Sequence, residues 1–359
     1  MDNSFLEVPP EEPNEFLEVT DEPVKKETAE GAVTDAPADF SEVPDDTAAR
    51  NTAKRFEAGD LGLVLSGGGG KGAYQIGVLR ALAEEGILDE VKAVAGTSIG
   101  AVNAVLYVQG DYDKAYKTWD DINMGVLFDL DPAMIASGKL YFSRDEMNRL
   151  MNNYIDYDRI SGSDKEIYCG VAEELGNGSY SPDYMRLNGA SVSEIQKILM
   201  ASTAMPVVYD TVSINGKNYR DGGVVDNEPI KPLYDAGIRR FIVVGLTAGK
   251  AFSYPQYSDA EFIVIYPSHD LGDIFSGTLN FYEQDKAIKR LLGYKDGKRA
   301  IKTLIEKDEN AILLERALAI KDYEEAVKQV QHERKVNELE KNINSRLDYI
   351  SDIEKKWGI

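Results

Sequence analysis

The sequence predicts an α/β protein built around a mostly parallel sheet, because strand–turn–helix units follow one another along the chain. Residues 61–65 are a short apolar run, and after a glycine-rich turn residues 73–82 place apolar side chains at helical spacing. Residues 91–95 form a second apolar run, followed by another turn and an Ala/Val-rich segment from about Ile99. Short, fully apolar strands are typical of central strands covered on both faces, and their alternation with helices is typical of a parallel sheet.

The later part of the chain predicts more strands, a hairpin and a long helical region. Strands are predicted at residues 166–172, 184–187, 240–245 and 262–266, and a helix at 192–201. Asn215-Gly216, between residues 211–214 and 217–220, is a strong hairpin signal. The spacing is helical from about residue 281 to 359, and its last part carries an apolar stripe made of Val336, Leu339, Ile343, Leu347, Ile350, Ile353 and Trp357.

Composition divides the chain into an arm, a domain and an extension. Residues 1–50 contain 15 acidic and three basic residues, which is −12 of the net charge of −22. Their apolar residues are too few to offset the entropy of ordering, so we expect an acidic, disordered arm at residues 1–57. An α/β domain at 58–290 and a helical C-terminal extension at 291–359 complete the predicted organisation.

Two terminal features have a structural and a functional interpretation. The arm repeats Phe-Leu-Glu-Val at residues 5–8 and 16–19, either as a pair of docking motifs for a protein partner or as drift in a biased composition. The C-terminal apolar stripe suits packing onto the domain, or contact with a partner or a lipid surface. We prefer the structural interpretation of both.

The net charge argues against some partners. Nucleic-acid binding requires clustered Lys and Arg, which a net charge of −22 argues against. The same charge opposes electrostatic attraction to anionic membranes. Contact with a membrane or micelle is therefore expected to be apolar and local.

The sequence also bears on the compartment. A single cysteine, Cys169, excludes an intramolecular disulfide and fits a reducing environment. The N-terminus lacks the basic and apolar parts of a signal peptide, and no apolar run approaches the roughly 20 residues that span a bilayer. We therefore expect a cytoplasmic protein, unless it is exported by a non-classical route. Cys169 lies in a predicted buried strand, where a structural role is expected.

The segment Gly96-Thr97-Ser98-Ile99-Gly100 contains the candidate nucleophile, Ser98. A nucleophile elbow is a tight strand-to-helix turn in which small flanking residues permit a strained backbone and expose the serine hydroxyl. The Gly-x-Ser-x-Gly pattern alone is common, but here a strand precedes it and an Ala-rich helix follows it. This context favours a nucleophile over an ordinary turn.

The glycine-rich segment at residues 66–72, Ser-Gly-Gly-Gly-Gly-Lys-Gly, lies between the first strand and its helix. Exposed N–H groups at a helix N-terminus form an anion site. A P-loop requires Ser or Thr after the lysine, where this chain has Gly72. A dinucleotide fingerprint requires an acidic residue at the end of the second strand, where this chain continues as Ala95-Gly96-Thr97.

A third use explains the glycine loop and the serine turn together. Backbone amides of Gly68, Gly69, Gly70, Lys71 and Gly72 are candidates for an oxyanion hole, which stabilises the intermediate formed by attack of a serine. The structural alternative is that the glycines only permit close packing. We prefer the oxyanion hole, because it is the only interpretation in which the glycine loop and the serine turn act in the same reaction.

The candidate base is Asp221, in the segment Tyr219-Arg220-Asp221-Gly222-Gly223 directly after the predicted hairpin. A carboxylate on a turn at a strand end can reach the serine and accept its proton. Asp and Gly are also common turn residues, so this segment carries weight only together with the other two. Asp226 is the alternative base.

These three segments resemble the patatin-like phospholipase family, which combines Gly-Gly-Gly-x-[Arg/Lys]-Gly, Gly-x-Ser-x-Gly and Asp-Gly-[Gly/Ala] in that order. The resemblance covers roughly residues 60–290, and residues 201–206 and 227–229 also resemble family positions near the site. It implies a patatin-like three-layer α/β sandwich, related to that of cytosolic phospholipase A2. Lys71 stands where many members have arginine.

The resemblance also implies an activity and the roles of residues. Ser98 is the nucleophile and Asp221 the base of a Ser–Asp dyad, and the amides of residues 68–70 form the oxyanion hole, with no metal or cofactor. The implied reaction is hydrolysis of fatty acyl esters of lysophospholipids, phospholipids or related glycerolipids. The arm and the C-terminal extension lie outside the resemblance.

Alternatives to this hydrolase remain open at the level of sequence. His269 follows a predicted strand, and the order Ser98, Asp221, His269 is that of α/β-hydrolase triads, whereas His332 lies in a charged helical segment and is expected on the surface. An acyltransferase would use the same acyl-enzyme, and a non-catalytic scaffold would keep the fold to bind protein partners. Residues 126–142 are a candidate lid over the cleft.

Overall fold

Eight strands form the sheet in the part of the chain that the structure describes. The computed structural model describes residues 60–122, 144–206, 208–248 and 254–306, and the isolated helical positions 327, 328, 332 and 335. The strands are β1 (Leu61–Leu65), β2 (Val91–Thr97), β3 (Glu166–Glu174), β4 (Tyr180–Arg186), β5 (Val212–Ile214), β6 (Lys217–Asp221), β7 (Arg240–Val244) and β8 (Glu261–Ile265). They follow the order β5-β6-β3-β2-β1-β7-β8, and β4 also pairs with β3.

Helices connect and cover these strands. They are α1 (Ala73–Glu84), α2 (Ile99–Val108), α3 (Tyr112–Asp121), α4 (Arg144–Tyr154), α5 (Tyr157–Ser161), α6 (Val192–Ser202), α7 (Lys231–Asp235) and α8 (Glu283–Glu306). Within this described part no helix is both long and apolar enough to cross a bilayer.

The sheet is mixed, with a parallel centre. The pairs β3–β2, β2–β1, β1–β7 and β7–β8 are parallel, whereas β4, β5 and β6 pair antiparallel. Every residue of β1 is buried. The predicted class, an α/β fold with a mostly parallel central sheet, is confirmed.

Both faces of the sheet are covered, which gives three layers. Because successive side chains of a strand point to opposite faces, Leu63 and Val64 of β1 enter different cores. Leu63 belongs to the larger core, with residues of α1, α2 and α8. Val64 belongs to the smaller core, with Leu233 of α7 and Val243 of β7.

The register of β3 brings two strand ends together. Residues 166–170 of β3 pair with β2, and residues 171–173 pair with β6, while β4 occupies the opposite edge. The last β2 residue, Thr97, is level with Gly170, and the last β6 residue, Asp221, is level with Val171. The chain leaving β2 at Ser98 therefore meets Asp221.

Most predicted elements are confirmed, with shifts at their ends. Asn215 (φ 51°) and Gly216 (φ 79°) both take left-handed conformations between β5 and β6, as a two-residue hairpin turn requires. The strand predicted at 184–187 is longer, Tyr180–Arg186, because pairing with β3 rather than apolar character defines it. It contains Pro182 and Asp183, residues that an edge strand tolerates.

The C-terminal region is described only in part. Helix α8 continues across the predicted boundary at residue 290 and packs on α1, with Leu292 and Ile301 in the larger core. His332 is exposed, as expected. The acidic arm, the candidate lid at 126–142 and the apolar stripe at 336–357 lie outside the described residues.

Candidate active site

Ser98 lies in a strained turn between β2 and α2. Its backbone angles, φ 56° and ψ −127°, are rare for any residue other than glycine. The turn closes only with glycine on either side. A Cβ on Gly96 would lie 2.3 Å from the carbonyl oxygen of Gly100, and one on Gly100 would lie 2.1 Å from that of Leu65. The predicted elbow geometry is therefore present.

The Ser98 hydroxyl donates directly to a buried carboxylate. Ser98 Oγ lies 2.5 Å from Asp221 Oδ2, and Gly223 N–H donates to Asp221 Oδ1 at 2.8 Å. Burial raises the pKa of Asp221 to about 6, although both hydrogen bonds act to lower it. A carboxylate of this pKa is ionised at neutral pH and still accepts a proton readily.

The glycine loop lies against the serine turn. A Cβ on Gly67 would lie 3.0 Å from Ser98 Cβ, so the backbone at Gly67 directly adjoins Ser98. Residues 69–72 form a short 3-10 turn, within which Lys71 N–H donates to the Gly68 carbonyl. The first N–H groups of such a turn have no intrahelical acceptor, which leaves those of Gly69 and Gly70 available.

The predicted oxyanion residues separate into two groups. Gly68, Gly69 and Lys71 line the same cavity as Ser98 and Asp221. Gly70 and Gly72 are buried behind it, and a Cβ on Gly70 would lie 2.1 Å from the Asn280 carbonyl oxygen. Gly67, which was not among the predicted residues, also lines the cavity.

The cavity beside Ser98 and Asp221 has a volume of about 510 Å³ and mostly apolar walls. Helix α2, which starts directly after Ser98, contributes Ile99, Val102 and Leu106 to one wall. Helix α4 contributes further apolar side chains, including Leu150 and Met151. An apolar cavity with a few polar groups at one point is typical of a site for a largely apolar ligand.

Three other candidate residues have different surroundings. Asp226 accepts from Tyr184 Oη at 2.6 Å and from Glu228 N–H at 3.1 Å. The alternative triad would place His269 at the Ser98 hydroxyl. Ser98 Oγ instead donates directly to Asp221, and His269 is not among the described residues that line the cavity. Cys169 is fully buried, and burial raises the pKa of its thiol to about 12.

No metal site is evident in this part of the protein. Among the described residues, no group of three or more His, Cys, Asp or Glu side chains is placed to hold a metal ion.

Comparison with known families matches residues 63–234 to the patatin-like phospholipases. That segment runs from β1 through α7 and contains the glycine loop, Ser98 and Asp221. Residues 63–234 are a patatin-like phospholipase domain. The predicted family is confirmed for this segment.

Relatives of the patatin-like domain include fungal proteins named lysophospholipase NTE1. That of Cryptococcus neoformans var. neoformans serotype D (strain JEC21) is 29% identical over 215 residues, covering 58% of this chain and 12% of the relative. That of Phaeosphaeria nodorum is 30% identical over 190 residues, covering 52% and 12%. This chain thus matches about an eighth of the length of these much larger proteins.

Solved structures similar to the patatin-like domain include VipD from Legionella pneumophila, with a TM-score of 0.47 and 15% identity over 68% of this chain and 67% of that one. Human GIVD cytosolic phospholipase A2 has a TM-score of 0.41 and 10% identity over 77% of this chain and 63% of that one.

Several residues that hold Ser98, Asp221 and the glycine loop in place were not singled out from the sequence. Ser202 Oγ accepts the Ser98 N–H at 2.9 Å, and the Ala204 carbonyl accepts the Asp221 N–H at 3.0 Å. Asn227 Nδ2 donates to the Gly67 carbonyl at 3.2 Å and so links the patatin-like domain's glycine loop to the Asp-Gly-Gly turn. The available signal was the resemblance of residues 201–206 and 227–229 to family positions.

Proposed function

We propose that this protein is a serine acyl hydrolase that cleaves fatty acyl esters of lysophospholipids, phospholipids or related glycerolipids. The observation that carries the proposal is the 2.5 Å hydrogen bond from Ser98 Oγ to Asp221 beside a large apolar cavity. The patatin-like phospholipase match and the relatives named lysophospholipase support a lipid ester as substrate.

Acylation begins with attack of Ser98 Oγ on the ester carbonyl carbon. The serine proton passes to Asp221 Oδ2, its hydrogen-bond partner, as the tetrahedral intermediate forms. When the intermediate collapses, the bond to the alcohol oxygen breaks and Asp221 returns the proton to the leaving alcohol. The acyl group remains esterified to Ser98.

In deacylation the same carboxylate activates a water molecule. Asp221 accepts a proton from a water molecule while the water oxygen attacks the acyl carbon. Asp221 then returns that proton to Ser98 Oγ as the fatty acid leaves. Because Asp221 must be ionised at the start of each half-reaction, its pKa of about 6 predicts an acidic limb near pH 6.

The glycine loop supplies the stabilisation of negative charge. Gly68 and Gly69 line the cavity beside Ser98, which makes their N–H groups the strongest candidates for the oxyanion hole. The Lys71 N–H already donates to the Gly68 carbonyl, so it is not available to an oxyanion. Lys71 can contribute only through its side chain and by shaping the turn. Fixed backbone donors of this kind typically contribute several kcal/mol to the transition state.

The cavity suits an acyl chain. The wall formed by Ile99, Val102 and Leu106 follows α2 for about 10 Å, given a rise of 1.5 Å per residue. An extended carbon chain advances roughly 1.2 Å per bond, so this wall matches about eight bonds of a fatty acyl group. Enclosing such a chain in apolar walls provides binding energy without charged groups.

Contact with a lipid aggregate is proposed at the apolar rim of this cavity. Val224 and Val225 directly follow the Asp221-Gly222-Gly223 turn and are 40% and 36% exposed. Val224 also lines the cavity. With a net charge of −22, contact of this apolar kind is favoured over electrostatic docking. A protein partner for the arm or the C-terminal helix, and the cytoplasmic location, remain predictions.

Covalent trapping tests this function at the level of the nucleophile. The full-length protein is incubated with an alkyl fluorophosphonate, and the modified residue is identified by mass spectrometry. Release of free fatty acid from lysophospholipid micelles is measured in parallel, with and without an added long-chain alcohol. Labelling of Ser98 with release of fatty acid is expected, whereas transfer of the acyl group to the alcohol alone would indicate an acyltransferase.

The proposal is wrong if the labelled protein carries the reagent at another residue. It is also wrong if Ser98→Ala releases fatty acid as fast as the wild type. A protein that neither reacts with the reagent nor turns over any ester would favour the non-catalytic scaffold.

A further inference from the structure

Residues 202–204, at the C-terminal end of α6, hold the backbones of both proposed catalytic residues. Ser98 N–H donates to Ser202 Oγ at 2.9 Å, and Asp221 N–H donates to the Ala204 carbonyl at 3.0 Å. Ser202 and Ala204 are both fully buried. One short segment thus fixes two chain positions that are 123 residues apart.

The orientation of the Ser202 hydroxyl is fixed by a second bond. Ser202 Oγ donates its single proton to the Gly170 carbonyl at 2.8 Å, which leaves a lone pair to accept the Ser98 N–H. Gly170 lies on β3, level with Thr97 at the end of β2. The hydroxyl therefore joins the serine turn to the central strand that also pairs with Asp221.

The turn at Ser98 requires such support. A backbone conformation of this kind costs of order 1–3 kcal/mol and persists only when the surroundings enforce it. The Ser98 N–H is part buried, and without an acceptor it would carry a further penalty. The bond to Ser202 satisfies this donor in the observed conformation, in which Ser98 Oγ reaches Asp221.

We propose that Ser202 is a positioning residue for the reaction. Its hydroxyl accepts the Ser98 N–H, donates to Gly170, and so holds the nucleophile at hydrogen-bond distance from Asp221. It acts through Ser98 and touches no reacting atom. This inference rests on the proposed function and adds a residue whose loss affects the chemical step rather than substrate binding.

Ser202→Ala tests the inference with a water-soluble p-nitrophenyl ester and the full-length protein. We expect kcat to fall about 100-fold, because small misplacements of a reacting group have effects of this size, while KM changes little. The hydrogen bond from Ser98 lowers the pKa of Asp221, so its weakening should also move the acidic limb of the kcat profile to higher pH.

Ser161→Ala is the matched control. The Ser161 hydroxyl donates to the Ala190 carbonyl at 2.8 Å, which is the same type of bond as Ser202 to Gly170, but Ser161 does not line the cavity. Its kcat and pH profile should equal those of the wild type. If Ser202→Ala does not fold, Ser202→Cys replaces a good acceptor by a weak one, and the same fall is expected.

Two results would overturn the inference. One is a folded Ser202→Ala variant with kcat within twofold of the wild type. The other is a lower kcat with an acidic limb that has not moved, since loss of rate alone would indicate a purely structural role. In both results the wild type is active and Ser98→Ala is not. Failure of the proposed function differs, because there Ser98→Ala would be as active as the wild type, or the wild type would be inactive.

Discussion

Asp221 combines two requirements that oppose each other. As the proposed base it must lie within hydrogen-bond distance of Ser98, and the residue at this position is 6% exposed. Burial disfavours the ionised form and raises the pKa to about 6 from an ordinary value of 3.8. The same burial that makes the carboxylate basic enough to act near neutral pH therefore reduces the stability of the fold when the group is ionised.

Asp221→Asn should therefore stabilise the fold in a pH-dependent way. A group whose pKa is raised by folding contributes stability below its unfolded pKa, near pH 4, and loses it as the pH rises through the folded value, near 6. At about 1.4 kcal/mol per pKa unit, the ionised carboxylate costs about 2–3 kcal/mol at pH 7. Denaturant unfolding at pH 4 and pH 7 should show the variant gaining up to this amount only at pH 7.

Asp259→Asn provides the control of opposite sign. Asp259 is exposed, and hydrogen bonds from Tyr234 and Arg239 lower the pKa of its carboxyl group. Its replacement should be neutral or slightly destabilising, and more so at pH 7 than at pH 4. A variant at Asp221 that is less stable than the wild type at pH 7 would contradict the stated cause of the raised pKa.

Residues with a fixed local spacing could be predicted from the sequence, and those with long-range contacts could not. Ser98 lies in a five-residue motif. Asp221 ends a hairpin that Asn215-Gly216 predicts, so each residue has a local signature in the sequence. Ser202 reaches Ser98 across 104 positions and Gly170 across 32. A single serine at the end of a helix carries no local sign of such contacts.

At the scale of elements, the apolar central strands were predictable because burial on both faces requires uniform apolar character. The edge strand β4 and the amphipathic helix α4 were less predictable from the sequence. Strand β4 is defined by pairing with β3, and α4 contains many polar residues because part of its surface faces solvent. Their positions depend on partners that are distant in sequence.

The packing of α1 on α8 depends on two glycines that permit contact between backbones. A Cβ on Gly293 would lie 1.9 Å from the Tyr74 carbonyl oxygen, and one on Gly77 would lie 1.9 Å from that of Arg290. Such a distance cannot be accommodated unless the helices move apart. This crossing secures a helix that starts two residues after Phe281, a residue of the cavity wall.

Gly293→Ala should lower the free energy of unfolding by about 2 kcal/mol. Because the added Cβ would meet backbone, the cost of overpacking is expected at the upper end of the usual range of about 1–3 kcal/mol, and the gain of about 1 kcal/mol in helix propensity offsets only part of it. Thermal unfolding of the full-length protein measures the effect. Leu291→Ala, at a 45% exposed position on the same helix, should change the melting temperature little. Equal melting temperatures for Gly293→Ala and wild type would contradict the close crossing.

At the scale of the whole molecule, the charge and the apolar rim lead to one expectation about lipid surfaces. The chain carries a net charge of −22, and the exposed Val224 and Val225 adjoin the proposed catalytic turn. Transfer of an exposed valine into an aggregate contributes roughly 1.5 kcal/mol. Binding to a micelle should therefore depend on these side chains, whereas hydrolysis of a dissolved ester should not.

Val225→Asp should reduce the rate on lysophospholipid micelles about tenfold, since 1.4 kcal/mol corresponds to a factor of ten. The rate on a monomeric p-nitrophenyl ester should stay unchanged. Leu175→Asp, which adds the same charge at a 51% exposed position in the turn between β3 and β4, should leave both rates near those of the wild type. Equal losses for the two variants would show a general charge effect instead of contact at the rim.

The general architecture was predictable from the sequence because it follows from local patterns repeated along the chain. The alternation of strands and helices indicated the α/β class, and the order of the three motifs indicated the family. The end-to-end approach of β2 and β6 on one edge of β3 was not predictable, although it is what joins Ser98 to Asp221. It depends on the register of strands separated by more than 40 residues.

The most direct test of the proposed dyad is fatty acid release from lysophospholipid micelles. It is measured for the wild type and for four variants, Ser98→Ala, Asp221→Asn, Asp226→Asn and His269→Ala. Circular dichroism confirms that each variant is folded. We predict that Ser98→Ala and Asp221→Asn fall to background, because each lacks one half of the 2.5 Å pair, while the Asp226 and His269 variants remain active. A folded but inactive His269→Ala protein, or an active Asp221→Asn protein, would contradict the Ser98–Asp221 dyad.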